Sequence, residues 1–226
     1  NGGDGLAIAR MLLDKGFEVT SYLININSNL SKDCQTNLER LEAISSVNDL
    51  ATVPDLKLSS GIIIDAMFGS GLNRPIDGMV SEVIDVVNSS DLPVVAVDVP
   101  SGLFADKVDL SGAIIRASAT ITFQLPKLSF LIPESGQFAG EWFAVDIGLS
   151  PEFIAIQAGR YQLVDNDYVR TISYQNSGTK TRVNALANIS KKINSLSLRF
   201  SLKNKFSYNS VNSVVNFELN RVISQD

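Results

Sequence analysis

The sequence predicts an α/β fold on a mainly parallel sheet covered on both faces, and three observations carry that prediction. Short apolar runs recur without strict alternation, the pattern of strands buried on both sides. Segments of helical period lie between them, the order that βαβ units require. Two of the runs deliver an aspartate, Asp65 and Asp98, followed by a glycine-bearing turn. In open parallel sheets, ligands bind outside the carboxyl ends of the strands.

The elements follow in order. Asp4 to Lys15 carries Leu6, Ala9, Arg10, Leu12 and Leu13 at roughly helical spacing, and Gly16 stops it. Phe17 to Ile24 reads as a strand. Leu30 to Ile44 reads as a helix with Leu38, Leu41 and Ile44 on one face. Gly61 to Phe68 (GIIIDAMF) is an apolar run broken by one acid, a strand. Pro75 to Asn88 reads as a helix with its proline in the first turn. Pro93 to Val99, Ala117 to Gln124 and Trp142 to Ile147 read as further strands, and Pro151 to Gln157 as a short helix.

Composition narrows the function classes. A chain of 226 residues that is 45% hydrophobic has room for one substantial domain and an appendage. A net charge of −5 argues against a nucleic-acid surface. The absence of histidine removes Ser-His and Cys-His catalysis and any histidine-ligated metal. Cys34 is the single cysteine, so no intrachain disulfide forms, which fits a reducing, cytoplasmic setting. In its polar stretch it reads as an incidental thiol. No apolar run is long enough to cross a bilayer, so no membrane partner is expected. The chain opens on Asn1 rather than Met, which suggests a beginning inside a longer sequence.

The character changes after about Ser173. Residues 174–226 hold eight basic residues against two acidic ones, no proline, one glycine, and many Asn and Ser. This tail reads as a disordered or foreign extension rather than a nucleic-acid arm, because it lacks aromatic and basic residues in alternation. The division expected is a domain over 1–160, a linker over 161–173 and the tail over 174–226.

Four segments carry candidate chemistry. Asn1-Gly2-Gly3-Asp4-Gly5 leads into a helix start, where glycines allow close approach of a ligand to free N–H groups; a plain helix start with Asp4 favouring the dipole reads equally well. Asp65 to Pro75 (DAMFGSGLNRP) is a strand-end acid, a Gly-Ser-Gly loop able to present amides to a phosphate, and Arg74 as a further donor; the alternative is a tight turn with Arg74 in solvent. Asp98-Val99-Pro100-Ser101-Gly102 is a second strand-end acid with a hydroxyl three residues on. A buried carboxylate is costly unless paired, and two of them point to a polar ligand or a hard cation held by oxygens. Lys127, after Gln124-Leu125-Pro126, is either a phosphate partner or an exposed lysine.

Together NGGDG at 1–5, DAMFGSGLNRP at 65–75, VAVDVPSGL at 95–103, ATITFQLPK at 119–127 and FAVDIGL at 143–149 resemble the YjeF N-terminal domain family, over roughly residues 1–150. The resemblance implies a Rossmann-like three-layer α/β sandwich and an isomerase activity, the interconversion of the R and S hydrates of NADH and NADPH. It implies that Asn1, Gly2, Gly3 and Asp4 line the hydrate pocket. Gly69, Ser70, Gly71, Leu72, Asn73, Arg74 and Pro75 would wrap the phosphates. Asp98 would contact the substrate near its reacting end; from the chemistry of the hydrate, we expect it to be the catalytic acid–base. Asn1, Asp65 and Ser101 would be side-chain ligands of a potassium ion. The family has a strand and a glycine-bearing turn before this Asn, so the resemblance implies a sheet truncated at the N-terminus. A hydrate dehydratase is the implied functional partner, fused in many bacterial members, and Val164 to Ser173 looks like the lead-in to it. A homo-oligomer is compatible with the resemblance. Two other readings stand beside it: a non-catalytic binding module on the same fold, and a nicotinamide-dependent Rossmann oxidoreductase, against which the missing GxGxxG counts.

Overall fold

The computed structural model describes residues 2–24, 30–53, 56–58 and 60–157. Asn1, the linker over 161–173 and the tail over 174–226 lie outside the described residues. The chain divides into two compact units, Asn1–Gly148 and Leu149–Asp226. Within the second, the described element is the short helix α5 (Pro151–Ile156), whose N-cap Ser150 accepts the Phe153 N–H.

The first unit runs α1 (Gly3–Asp14), β1 (Ser21–Leu23), α2 (Lys32–Glu42), β2 (Val47–Asp49), β3 (Ile63–Asp65), α3 (Gly78–Asn88), β4 (Val94–Val97), β5 (Ala119–Phe123), α4 (Pro133–Gly136) and β6 (Glu141–Val145). A 3-10 turn, Leu128–Leu131, precedes α4. All strand pairings among the described residues are parallel, as predicted for a Rossmann-like α/β fold. The strands form two sheets, β1-β2 and β3-β4-β5-β6. The four-stranded order follows the chain, so successive crossovers step in one direction and leave the strand ends in a row.

Helix α2 starts where Ser31 Oγ accepts the Cys34 N–H at 3.2 Å, a side-chain N-cap, with Asp33 in the first turn and Arg40 in the last. Its face of Cys34, Leu38 and Leu41 meets Leu6 and Ala9 of α1 in one buried cluster. Cys34 is therefore a core residue, although its neighbours in sequence are polar. The cluster ends at Leu41: Ile44, expected on the same face, is 52% exposed, because the helix stops at Glu42 and the chain leaves that stripe.

Helix α3 begins at Gly78 rather than Pro75. Pro75 and Ile76 lie before the helix in irregular backbone, with the Ile76 carbonyl accepting the Ala113 N–H and Ile76 lying against Gly112. Val80, Val83, Ile84 and Val87 then line the buried stripe of α3 and pack on Val94 and Ala96 of β4. Each such aliphatic side chain contributes roughly 1.5–3 kcal/mol on burial. The opposite face of the four-stranded sheet carries Ile64, Ile121, Phe143 and Val145, and these are 37–49% exposed. The β4 run is apolar on both faces, as the absence of alternation predicted, whereas β5 places Thr120 and Thr122 on the covered face; among the described residues one face is covered far better than the other.

Candidate functional site

The site lies at the carboxyl ends of β3, β4 and β5. Asp65 is the last residue of β3 and is 3% exposed. Its Oδ1 accepts the Ser101 hydroxyl at 2.6 Å and the Met67 N–H at 3.3 Å, and its Oδ2 accepts the Ser101 N–H at 2.7 Å. Ser101 Oγ in turn accepts the Phe68 N–H at 3.0 Å. Two turns distant in sequence are thus tied into one closed corner. Burial pushes the Asp65 carboxyl above the ordinary aspartate range, against the three hydrogen bonds that favour its charge. Among the described residues no cation pairs with it.

Asp98 follows β4 directly and sits in the left-handed region, at φ 65°. Its own N–H donates to the Ile121 carbonyl, and the Val99 N–H closes back on the Val97 carbonyl at 2.8 Å. A non-glycine residue in such a three-residue turn is strained, and strain of this kind concentrates at functional sites. The turn aims the carboxylate between two neighbours. Oδ2 accepts the Ser70 N–H at 3.0 Å; Oδ1 accepts the Phe123 N–H at 3.3 Å and lies 2.9 Å from Lys127 Nζ. Thr122 Oγ1, buried, stands 3.5 Å from Oδ1. Burial acts to raise this carboxyl, but the Lys127 ammonium and the two amides outweigh it, and Asp98 is held below the ordinary aspartate range.

Lys127 arrives by the same device. Gln124 also has positive φ, 60°, and the Leu125 N–H closes on the Phe123 carbonyl at 2.8 Å. The bend after β5 brings Lys127 back over the strand end, where Nζ also donates to the carbonyls of Phe123 and Leu125. Lys127 is therefore not the exposed lysine that one reading offered: its ammonium is held by Asp98 and two carbonyls.

The glycine loop is partly committed to the protein. The amides of Met67, Phe68 and Ser70 bond Asp65, Ser101 and Asp98 respectively, and the Leu72 N–H bonds the Gly69 carbonyl. The Ser70 amide, expected to face a phosphate, is spent on Asp98. Among the described residues the amides of Gly69, Gly71 and Asn73 keep no protein acceptor. A Cβ on Gly69 would come within 3.2 Å of Asp98 Oδ2, so a side chain there would press on that carboxylate. Ser70, Leu72 and Asn73 form one wall of a cleft of about 310 Å³ whose other wall is Phe104 to Lys107. The ammonium of Lys107 stands over the Phe104 ring at 3.9 Å. Arg74 and Pro75 are exposed.

The start of α1 joins the same corner. Gly2 has φ 60°, and no side chain caps the helix, so its first amides point outward. A Cβ on Gly5 would approach the Ala66 Cβ to 2.7 Å; only glycine lets α1 ride this closely on the turn after β3. Asp4 is exposed in the first turn. The fold therefore gathers Gly2 to Gly5, Asp65, the glycine loop, Asp98 and Ser101 at one edge. Lys127 was a candidate in sequence, but its pairing with Asp98 was not expected, nor were the buried Thr122 hydroxyl beside that carboxylate and the Phe104 to Lys107 wall. Local sequence does not mark these contacts, since they depend on which strands are neighbours. Cys34, by contrast, is buried in the core, its thiol pushed up by burial.

The chain is similar to known proteins. The sequence profile described as YjeF-related protein N-terminus matches residues 1–129. A protein of Weissella koreensis named NAD(P)H-hydrate epimerase is 38% identical over 66% of this chain and 66% of its own length. One of the same name from Oenococcus oeni is 36% identical over 66% of this chain and 70% of its own. A protein of Moorella thermoacetica named bifunctional NAD(P)H-hydrate repair enzyme is 33% identical over 76% of this chain and 34% of its own. The chain thus spans about two thirds of the single-function relatives and about a third of the bifunctional one. The crystal structure of the yeast protein YNL200c superposes with a TM-score of 0.55 at 22% identity, over 73% of this chain and 70% of that one, and supports the fold.

Proposed function

Because this chain belongs to the YjeF-related protein N-terminus family, we propose that it is an isomerase that interconverts the R and S hydrates of NADH and NADPH. The observation that carries this reading is Asp98: a strained, ionised carboxylate at a strand end, between a glycine loop and a lysine. The names of the relatives, NAD(P)H-hydrate epimerase, support the substrate. In the hydrate a hydroxyl sits on a carbon beside the ring nitrogen. The nitrogen lone pair can expel it as water when a proton is supplied, and water can return to the other face. Asp98 relays that proton. The free amides of Gly69, Gly71 and Asn73, with Leu72, Arg74 and Pro75 beside them, receive the phosphates, while Gly2, Gly3 and Asp4 line the nicotinamide end.

A potassium ion fits the other corner. Asp65 is a buried carboxylate with no cationic partner among the described residues, and the set it forms with Ser101 is all oxygen, which suits a hard cation. Asp65 and Ser101 would hold the ion, with Asn1, which lies outside the described residues, as third side chain. When bound, potassium supplies a fixed positive charge that helps anchor the phosphates. A dehydratase acting on one epimer is the functional partner, fused in relatives such as that of Moorella thermoacetica, named a bifunctional repair enzyme. No helix among the described residues is long and apolar enough to cross a membrane, and a cytoplasmic setting suits a substrate formed from free cofactor.

The test is direct. The protein is mixed with racemic NADH hydrate, potassium and a dehydratase specific for the S form, and NADH recovery is followed. It should speed recovery of the R fraction, and Asp98→Ala should lower that acceleration at least about a hundredfold. A folded protein that gives no acceleration would return the reading to a binding module.

A further inference from the structure

We propose that Lys127 stores the proton used in the epimerisation and acts through Asp98, an inference that rests on the epimerase reading above. Departure of the hydroxyl as water consumes a proton. Asp98, ionised and braced by two amides and an ammonium, has none of its own to give. The nearest one is on Lys127 Nζ, 2.9 Å from Asp98 Oδ1. The two side chains are 15% and 12% exposed, so the pair is largely shielded from bulk water.

The geometry of Nζ fits a group that gives and regains one proton. An ammonium has three N–H bonds, and here three acceptors surround it: Asp98 Oδ1, the Phe123 carbonyl at 3.1 Å and the Leu125 carbonyl at 3.3 Å. After one proton leaves, the remaining two N–H bonds still match the two carbonyls. The lone pair then points back at Asp98, where the proton returns. The other charged groups near this edge are engaged elsewhere or in solvent. Asp65 on β3 faces Ser101, Asp146 after β6 accepts the Gly148 N–H, and Arg74 of the glycine loop is exposed.

The step balances without a further reactant. The nitrogen lone pair becomes the second bond to carbon. The carbon–oxygen bond breaks, its electron pair leaves with oxygen, and that oxygen takes a proton from Asp98 as Asp98 takes one from Lys127. The site then holds a ring iminium, water, the Asp98 carboxylate and a neutral Lys127 amine. Water adds to the opposite face, the carbon–nitrogen π pair returns to nitrogen, and the released proton passes through Asp98 to Lys127.

Two variants separate this role from simple placement of Asp98. Arginine can keep the ion pair but does not release its proton. Lys127→Arg should therefore leave Asp98 ionised, as followed by carbon-13 NMR of its carboxyl, with KM within about twofold, and still lose about tenfold or more in kcat. Lys127→Met should leave only a residual rate that rises as pH falls and Asp98 itself becomes protonated. Full activity in Lys127→Arg would overturn the inference and reduce Lys127 to a brace for Asp98. A wild-type protein without epimerase activity would instead sink the underlying reading, so the two failures are distinct.

Discussion

The ends of β3 and β4 carry one sequence device, an aspartate at the strand end and a glycine-bearing turn, and the fold gives them opposite electrostatics. Asp65 is enclosed by neutral donors, the Ser101 hydroxyl and amide and the Met67 amide, and burial raises its carboxyl. Asp98 is nearly as buried, yet an ammonium reaches it and its carboxyl is lowered. Position along the strand places each acid at the ligand edge; the neighbour across the sheet decides its charge. One corner is suited to attract a cation, and the other already holds one.

The largest effect on this comparison should come from the turn that follows Ser101. Gly102 follows Ser101 with φ 96°, and a Cβ there would overlap the Ala113 carbonyl oxygen. Gly102→Ala carries both backbone strain and a clash with fixed backbone, and should cost on the order of 3 kcal/mol. A urea titration checks this, and a loss under 1 kcal/mol would mean that the turn can re-form with another geometry.

Ser101→Ala should act less strongly and on one corner only. It removes the hydroxyl that donates to Asp65 and accepts from Phe68, and leaves Asp65 with its two amide donors. The expected loss is about 1–3 kcal/mol, the cost of buried groups left short of partners. If potassium uses this corner, the stabilisation that the ion gives in a thermal melt should shrink with it. An unchanged potassium effect would remove Ser101 from the ligand set.

Much of this architecture was legible in sequence because its signals are local. The apolar runs at 61–68 and 93–99 fixed β3 and β4, and the acids within them marked the ligand edge. The elements that escaped notice lack a local signal. Strand β2 is three residues, Val47–Asp49, mostly exposed, and is defined by pairing with β1 rather than by any apolar run. Pro75 suggested a helix start, but Ile76 takes part in a contact with Ala113 first, and tertiary pairing overrides the proline's preference. The Asp98–Lys127 pair spans 29 positions and exists because β4 and β5 are adjacent and both end in strained turns. Sequence spacing holds no trace of either turn, since neither Asp98 nor Gln124 is the glycine that positive φ normally selects.

The most delicate form of the comparison is titration. For Asp98 the folded value lies below the ordinary 3.8, so its contribution to stability is present above 3.8 and is lost as pH falls through the folded value. For Asp65 the folded value lies above 3.8, so its contribution is complete below 3.8 and is lost as pH rises through the folded value. Carbon-13 NMR of the two carboxyls should therefore show Asp98 titrating below 3.8 and Asp65 above it in the same protein. Lys127→Met should raise Asp98 and leave Asp65 in place, whereas Ser101→Ala should raise Asp65 further and leave Asp98 in place. If either substitution moved both carboxyls together, the two corners would be one coupled system, and the division of labour between a cation corner and a proton corner would fail.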